Sequence, residues 1–284
     1  MQALWMLAAT FMFSLMGTAV KLASEMNVTL AQIAVMRGLP SVVMLLFWAR
    51  ATRLSLKPPS WRLHLWRNLA GVTSMWLGFY AISHLPLATA VTLNYTAPLF
   101  IAGWMLGWGG ARADRVRLLA VVLGFVGVLA VLRPTINPAE WLPALMGVGA
   151  GAMGAVAQLQ IRALGQAGEP AWRTVFYFSV TVCTTGLVPI LYGGWQAPTP
   201  GGWAALVALG VTGLLGQLAL TRAFGLGSAL LSAALQYTII IFASILGFVL
   251  WGDAPDRIAI LGMALIAGAS MLSVWRTASA PPAK

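Results

Sequence analysis

The sequence predicts an all-α polytopic membrane protein. Of its 284 residues, 60% are hydrophobic and 8% are charged, a balance that cannot cover one soluble globule with a polar surface. Apolar stretches of near-bilayer length recur along the chain, with almost no carboxylate inside them. The alternating polarity that is typical of membrane strands is absent from the sequence, so we expect helices.

Ten transmembrane helices account for nearly the whole chain. A helix needs roughly 20 mostly apolar residues to cross a hydrocarbon core of about 30 Å. The predicted spans, read between charges, prolines and glycine-rich breaks, are residues 3–23, 30–49, 68–85, 88–108, 117–133, 143–163, 171–192, 203–222, 228–250 and 257–275. This count leaves no room for a soluble catalytic domain.

The basic residues predict the orientation of the chain. With the N-terminus inside, 13 of the 17 lysines and arginines fall in connections on the inner side. The other four are Lys21, Arg37, Arg133 and Arg257. This excess predicts a bacterial-type inner-membrane protein with both termini in the cytoplasm. The net charge of +11 is scattered over helix ends rather than clustered on one face, so we do not expect nucleic-acid binding.

The two halves of the chain resemble each other. A shift of 142 residues, without a gap, aligns Pro58 with Pro200, Trp61 with Trp203, Gly71 with Gly213, Leu93 with Leu235, Tyr95 with Tyr237 and Phe100 with Phe242. We therefore divide the chain into residues 1–138 and 139–284, which together form one transmembrane domain. Because each half has five spans, an odd number, the two repeats are inverted. Inverted repeats place a substrate site near the midplane, between the halves.

Several motifs carry a family resemblance. Residues 78–90 read GFYAISHLPLATA and residues 95–100 read YTAPLF; the counterparts are AFGLGSA at 223–229, QY at 236–237 and WGD at 251–253. The chain is similar to the EamA family of the drug/metabolite transporter superfamily and, within it, to YddG-type amino acid exporters. This resemblance implies ten helices in two inverted five-helix repeats and export of small metabolites. Two departures are visible. The acidic residue usual after the fourth helix is missing from residues 108–112, and the second half has Ile239 and Ile240 where the family has a proline.

The third predicted helix offers one wall of a substrate site. Trp76, Tyr80 and His84 are spaced i, i+4 and i+8, which places them on one stripe of the helix. We predict that they line a cavity; the alternative is anchoring at the membrane interface, which Trp and Tyr favour. His84 is a candidate proton carrier. A histidine that faces water at the C-terminal end of a helix is an equally good interpretation.

Amides and phenols in other helices complete the predicted site. Asn94 and Tyr95 precede Pro98 in the fourth helix, where the proline bends the helix, and Gln236 and Tyr237 are their repeat partners. We expect these pairs to bind the charged groups of a zwitterion, or else to hydrogen-bond neighbouring helices. The remaining candidates are amides and apolar walls, each with packing as the alternative: Gln158, Gln217, Trp104 and Tyr177.

The chemistry that the sequence lacks narrows the function. Every Asp and Glu lies at or beyond a span end, so no mid-membrane carboxylate carries protons. We predict a facilitator for amino acids with apolar or aromatic side chains, working by alternating access, with proton coupling or another metabolite or drug as the alternative. No catalytic constellation, cofactor motif or metal-ligand cluster is expected, since the single Cys183 lies in an apolar segment. An enzyme and a channel are therefore disfavoured. The predicted partners are a small molecule and the bilayer, and we expect a monomer or a weak dimer.

Overall fold

The fold is all-helical. The computed structural model describes residues 1–85, 87–107, 115–132, 140–252 and 254–278, so two residues of the family-like motifs, Pro86 and Asp253, lie outside it. Twelve α-helices and no β-strand occur in these ranges, which confirms the all-α prediction. They are α1 Gln2–Glu25, α2 Leu30–Ala51, α3 Trp61–His84, α4 Leu87–Asn94, α5 Ala97–Gly107, α6 Arg115–Leu132, α7 Trp141–Gln166, α8 Ala171–Gly193, α9 Pro200–Gly225, α10 Ala229–Gln236, α11 Thr238–Trp251 and α12 Arg257–Ala278.

Two of the spans are broken into half-helices at repeat-related positions. α4 ends at Asn94 and α5 begins at Ala97, while α10 ends at Gln236 and α11 begins at Thr238. When each pair counts as one span, the described residues contain ten spans, the predicted number. Six helical segments, α10 and α11 counted together, are long and apolar enough to cross a bilayer by length and composition.

A threonine hydroxyl accompanies each break. Thr96 Oγ1 donates to the carbonyl of Leu93 at 2.6 Å, and Thr238 Oγ1 donates to the carbonyl of Leu235 at 2.7 Å. Both threonines and both leucines are repeat partners under the 142-residue shift. A side-chain hydroxyl that bonds to a nearby carbonyl competes with the backbone ladder of the helix. The two halves therefore interrupt the same span with the same local chemistry.

The helices of the two halves pack against each other in a two-fold pattern. Under the repeat, α1 corresponds to α7, α2 to α8, α3 to α9 and α6 to α12. α1 packs mainly on α9 and α3 mainly on α7, and these two contacts are repeat-related. α2 packs on α8 and α6 on α12, so each of these helices meets its own repeat partner. Such contacts are expected of two repeats related by a two-fold axis. The predicted boundary at 138/139 lies outside the described residues.

One helix begins earlier than its hydropathy predicts. The third span was expected from residue 68, but α3 begins at Trp61, where the hydroxyl of Ser60 accepts a hydrogen bond from the Leu63 N–H at 3.4 Å. A serine at the N-cap satisfies one of the free amides of the first turn. Because the helix starts seven residues sooner, Arg67 lies inside it rather than in the preceding connection.

Candidate functional site

The predicted stripe on α3 divides into two parts. Tyr80 and His84 form a local unit, since their rings stack with centroids 4.2 Å apart. His84 Nδ1 lies 2.9 Å from the carbonyl oxygen of Tyr80. Trp76 is half-buried and packs in a separate apolar cluster with Val72, Phe178 and Val182. Trp76 therefore contacts the second half of the chain.

The two repeat-related tyrosines both lie at helix breaks and join the largest apolar core cluster. Tyr237 is 0% exposed, and its ring lies so close to α6 that a Cβ on Gly124 would be 2.4 Å away. Within the ranges that the structure describes, the hydroxyl of Tyr237 and the side-chain oxygen of Gln236 have no hydrogen-bond partner. Tyr95 is half-buried, and Asn94 is exposed.

The other predicted residues are dispersed over the bundle. Gln158 is buried in α7 with its Oε1 unpartnered, while Trp104 is half exposed on α5. Tyr177 lies towards the start of α8, where its hydroxyl donates to the carbonyl of Leu56 at 2.7 Å. Gln217 is buried in α9 and lines a pocket. Thus Gln217 is the predicted residue that lines this pocket, and Trp76 packs against two of the pocket's wall residues.

This pocket lies between α2, α8 and α9. Its volume is about 10 Å³, which is room for roughly one water molecule. The lining combines a guanidinium, two hydroxyls and an amide with small and apolar side chains. Its residues are Arg37, Gly38, Ser41, Phe178, Ser179, Val182, Gly213 and Gln217.

Two arginines converge on one aromatic ring at this pocket. The guanidinium carbon of Arg67 lies 3.6 Å from the centre of the Phe178 ring, and that of Arg37 lies 5.7 Å from it. Arg67 is 2% exposed, and its Nε and Nη1 have no hydrogen-bond partner in the described part of the chain. Arg37 Nη1 contacts the sulfur of Met75 at 3.8 Å. Neither arginine forms an ion pair with a carboxylate of the described residues.

Glycines make this arrangement possible. A Cβ on Gly38 would lie 2.6 Å from the sulfur of Cys183 and 2.8 Å from the carbonyl oxygen of Ser179. A Cβ on Gly71 would lie 2.6 Å from Arg67 Nη1 and 2.9 Å from the Phe178 ring. Real Cβ atoms do not approach other atoms this closely, so α2 and α8 touch because residue 38 is glycine. Gly71 leaves the space that the guanidinium of Arg67 occupies.

Sequence reasoning missed these two arginines as site residues. It counted Arg37 and Arg67 among the charges that orient the chain at the membrane surface. The structure places Arg37 at the eighth residue of α2 and Arg67 at the seventh residue of α3, both inside helices. The available signal was the position of Arg37 within an otherwise apolar predicted span, because a charge inside a span is usually functional.

A second ionic cluster lies at the end of the bundle where α7 meets α8. Glu169, whose side chain is 0% exposed, accepts hydrogen bonds from Arg173 Nε and Nη2. His64 Nε2 lies 3.2 Å from Glu169 Oε1. Arg173 Nη1 also donates to the carbonyls of Ser55 and Lys57, at 2.9 and 2.6 Å. This cluster joins the first half of the chain to the second. No group of three metal-ligating side chains occurs in the described ranges.

Comparisons with known proteins identify the family to which this chain is similar. The profile of the EamA-like transporter family matches residues 1–133 and again residues 141–275. The pseudopaline exporter CntI of Pseudomonas aeruginosa is 31% identical over 91% of this chain and 90% of its own length. A riboflavin transporter of Vibrio cholerae is 24% identical over 97% of this chain and 93% of its own length.

Further similarities support the same assignment. An S-adenosylmethionine uptake transporter of Rickettsia bellii is 23% identical over 83% of this chain and 80% of its own length. One solved crystal structure, 18% identical, superposes with a TM-score of 0.85 over 97% of this chain and 98% of its own, which supports the fold. The relatives are transporters rather than enzymes, and multi-pass membrane proteins of this kind move small molecules. The chain belongs to the EamA-like transporter family.

Proposed function

We propose that this protein exports small metabolites across a bacterial inner membrane by alternating access, and that amino acids with apolar or aromatic side chains are its first candidate substrates. The observation that carries this proposal is the pair of helix breaks at Tyr95 and Tyr237. Discontinuous helices at corresponding positions of two repeats mark the binding region in many transporters. Half-helices also give each half an element that can change direction as the halves rock against each other.

The proposed orientation has both termini in the cytoplasm. It rests on the excess of arginine and lysine in the connections assigned to that side. In this orientation the cluster of His64, Glu169 and Arg173 lies at the cytoplasmic end. Because that cluster bridges the two halves, it holds them together on the side where an exporter receives its substrate.

The choice of amino acids rests on the side chains at the interface between the halves. Gln217 and Gln158 supply amides, and the oxygen of Gln158 has no hydrogen-bond partner among the described residues. Trp76 and Phe178 supply aromatic surface. The relatives are named for pseudopaline, riboflavin and S-adenosylmethionine, three chemically different small molecules. Family membership thus leaves the substrate open, and the lining residues favour a polar head with an apolar body.

Reconstitution into liposomes tests this function. We expect saturable uptake of labelled Phe, Leu, Met or Ala, accelerated when the same unlabelled amino acid is loaded inside, because a carrier returns faster with substrate bound. Uptake that requires an imposed pH gradient would favour the proton-coupled alternative and direct attention to His84. Absence of uptake for every amino acid in the panel would refute this substrate class.

Two variants test the predicted site. Tyr80→Ala and Gln158→Ala should each lower initial transport rates by roughly tenfold, the effect of about 1.4 kcal/mol of lost interaction, without loss of folded protein. Gln166→Ala is the matched control, because Gln166 lies exposed at the end of the same helix as Gln158. Normal transport by both test variants would defeat the proposed site.

A further inference from the structure

We propose that the pocket between α2, α8 and α9 binds the carboxylate of the transported molecule. The positive charge comes from Arg37, which lines the pocket, and from Arg67, which lies behind the wall residue Phe178. This inference rests on the proposed transport function and specifies the head group that the site recognises. Nothing in the sequence motifs or in the names of the relatives assigns this pocket.

The first argument concerns charge balance. A guanidinium buried away from water is costly unless an anion or a set of acceptors replaces its hydration. Arg67 is 2% exposed and has two nitrogens without acceptors. Arg37 points its Nη1 at a thioether sulfur, which is a weak acceptor. An anionic ligand would supply the partner that the described part of the protein does not.

The second argument concerns the shape and chemistry of the pocket. A carboxylate is planar and is recognised by guanidinium groups through charge-assisted hydrogen bonds. The hydroxyls of Ser41 and Ser179 and the amide of Gln217 line the same space and can donate to its oxygens. The Phe178 ring holds the guanidinium of Arg67 against its face at 3.6 Å, which limits the orientations that Arg67 can adopt.

The third argument concerns symmetry. The 142-residue shift that aligns Tyr95 with Tyr237 also relates Arg37 to Ser179, and both residues line the pocket. Two symmetry-related positions can meet only close to the two-fold axis. The pocket therefore lies close to the two-fold axis that relates the halves, and inverted-repeat transporters bind their substrates at the interface between the repeats.

The pocket favours a carboxylate over phosphate. The free space of about 10 Å³ holds about one water molecule, so the helices around it have to separate to admit a ligand. They have to separate less for a planar carboxylate than for a tetrahedral phosphate. The pocket is formed by three helices that pack on each other, and Ser41, Ser179 and Gln217 in its wall are buried, so a metabolite carboxylate suits it better than the head group of a bilayer lipid.

Binding to the purified chain in nanodiscs tests this proposal independently of transport. Isothermal titration would compare 3-phenylpropionate, which has only a carboxylate, with phenylalaninamide, which lacks one, and with succinate and inorganic phosphate. We expect at least one of the two carboxylate probes to bind, with phenylalaninamide and phosphate at least tenfold weaker. Tighter binding of phosphate or of the amide, or no binding of either carboxylate, would overturn the proposal. Succinate binding that depends on the arginines, without amino acid transport, would uphold this pocket and refute the proposed substrate.

Charge-removing variants locate the binding. Arg37→Gln and Arg67→Gln should each weaken carboxylate binding by roughly 10- to 100-fold, the range for a hydrogen bond to a charged group. Arg222→Gln is the matched control, because the guanidinium of Arg222 also lies over an aromatic ring, at 4.6 Å from Trp5, yet outside the pocket. Equal weakening by all three variants, or by none, would contradict the proposal.

A variant of nearly the same side-chain shape tests the pocket without the risk that the protein fails to fold. Gln217→Glu places a carboxylate at the pocket wall without changing its shape, so it should compete with the ligand. We expect at least tenfold weaker carboxylate binding together with a higher melting temperature, since the new charge gains buried arginine partners. Unchanged carboxylate binding in this variant would refute the assignment.

Discussion

Two clusters of basic side chains differ in whether a carboxylate accompanies them. Arg173 lies against Glu169, which also contacts His64. Arg37 and Arg67 converge on Phe178 with no carboxylate among the described residues. Both groups join the first half of the chain to the second.

The presence of a carboxylate distinguishes a cluster that supports the structure from a cluster that is available to bind a ligand. A buried charge that has its partner is satisfied within the protein, and removing either member is strongly destabilising. A buried charge that lacks a partner is a standing cost to stability, which natural proteins commonly tolerate where function requires it. The first group therefore stabilises the contact between the halves, whereas the second keeps a site ready for an anion.

We expect the greatest loss of stability when the carboxylate of the His64, Glu169 and Arg173 cluster is removed. Glu169→Gln should lower the free energy of unfolding by about 3–5 kcal/mol, because the guanidinium of Arg173 loses the buried carboxylate with which it pairs. Denaturation in mixed micelles, followed by far-UV circular dichroism, measures this change. Glu25→Gln is the control: Glu25 is exposed at the end of α1, so its removal should change stability by less than about 0.5 kcal/mol. Equal effects of the two variants would show that the buried cluster has no structural role.

The next effect concerns the helix contact that positions the unpaired group. Gly38→Ala should lower stability by about 1–3 kcal/mol, because the added methyl forces α2 away from Cys183 and Ser179. Gly17→Ala, in α1, is the matched control. A Cβ added at Gly17 would meet no neighbouring atom within 4 Å, so this change should be neutral or stabilise by up to about 1 kcal/mol. Thermal melts of both variants measure these changes. A melting temperature of Gly38→Ala equal to that of Gly17→Ala would contradict the close contact between α2 and α8.

Removing an arginine that has no carboxylate partner in the described ranges should have a smaller effect on stability, and of opposite sign. Arg67→Met should raise the free energy of unfolding by about 1–2 kcal/mol, because the cost of burying an unpaired charge exceeds the lost contact with Phe178, which is worth about 2 kcal/mol. The same replacement at Arg173 should destabilise the protein. Denaturation of both variants in mixed micelles measures the two changes in the free energy of unfolding. Destabilisation of similar size at both positions would abolish the distinction between the two groups.

The smallest expected effect tests a single hydrogen bond beside the paired group. Tyr177→Phe removes the bond to the carbonyl of Leu56 and should lower stability by about 0.5–1.5 kcal/mol. Tyr192→Phe is the control, since that side chain is almost fully exposed and should show no change. A null result at Tyr177 in the same melting experiment would mean that water replaces the lost bond at no cost.

The helical architecture was predictable because hydropathy alone decides it. Apolar length marks each span, and the self-similarity of the halves indicates the two-fold arrangement. Pro98 was expected to bend the fourth span, yet the span is already broken before it, between Asn94 and Ala97. Pro98 lies in the first turn of α5, where a proline is well tolerated. The second half has no proline at the corresponding place and is broken all the same. The shared threonines, Thr96 and Thr238, were visible in the sequence as the common feature.

The candidate site was harder to predict because it depends on which faces of the helices pack against each other. The aromatic and amide residues chosen from depth alone are spread over several helices, with Gln217 at the pocket. Arg67 was assigned to a connection because its helix begins at a serine cap that hydropathy does not register. Arg37 was assigned to the surface because sequence position does not tell which way a long side chain turns. Only the contact between α2 and α8 brings Arg37 to Phe178.

The position of the pocket on the two-fold axis has a consequence for how a ligand lies in it. If residue 179 were identical to its repeat mate, Arg37, the two walls would match, and a bound molecule would have two orientations of equal free energy. Arginine on one wall and serine on the other remove this degeneracy. The head group then faces the first repeat, and the rest of the molecule always faces the second. Selection for the chemistry of the substrate's body can therefore act on one repeat while the other keeps its binding charge.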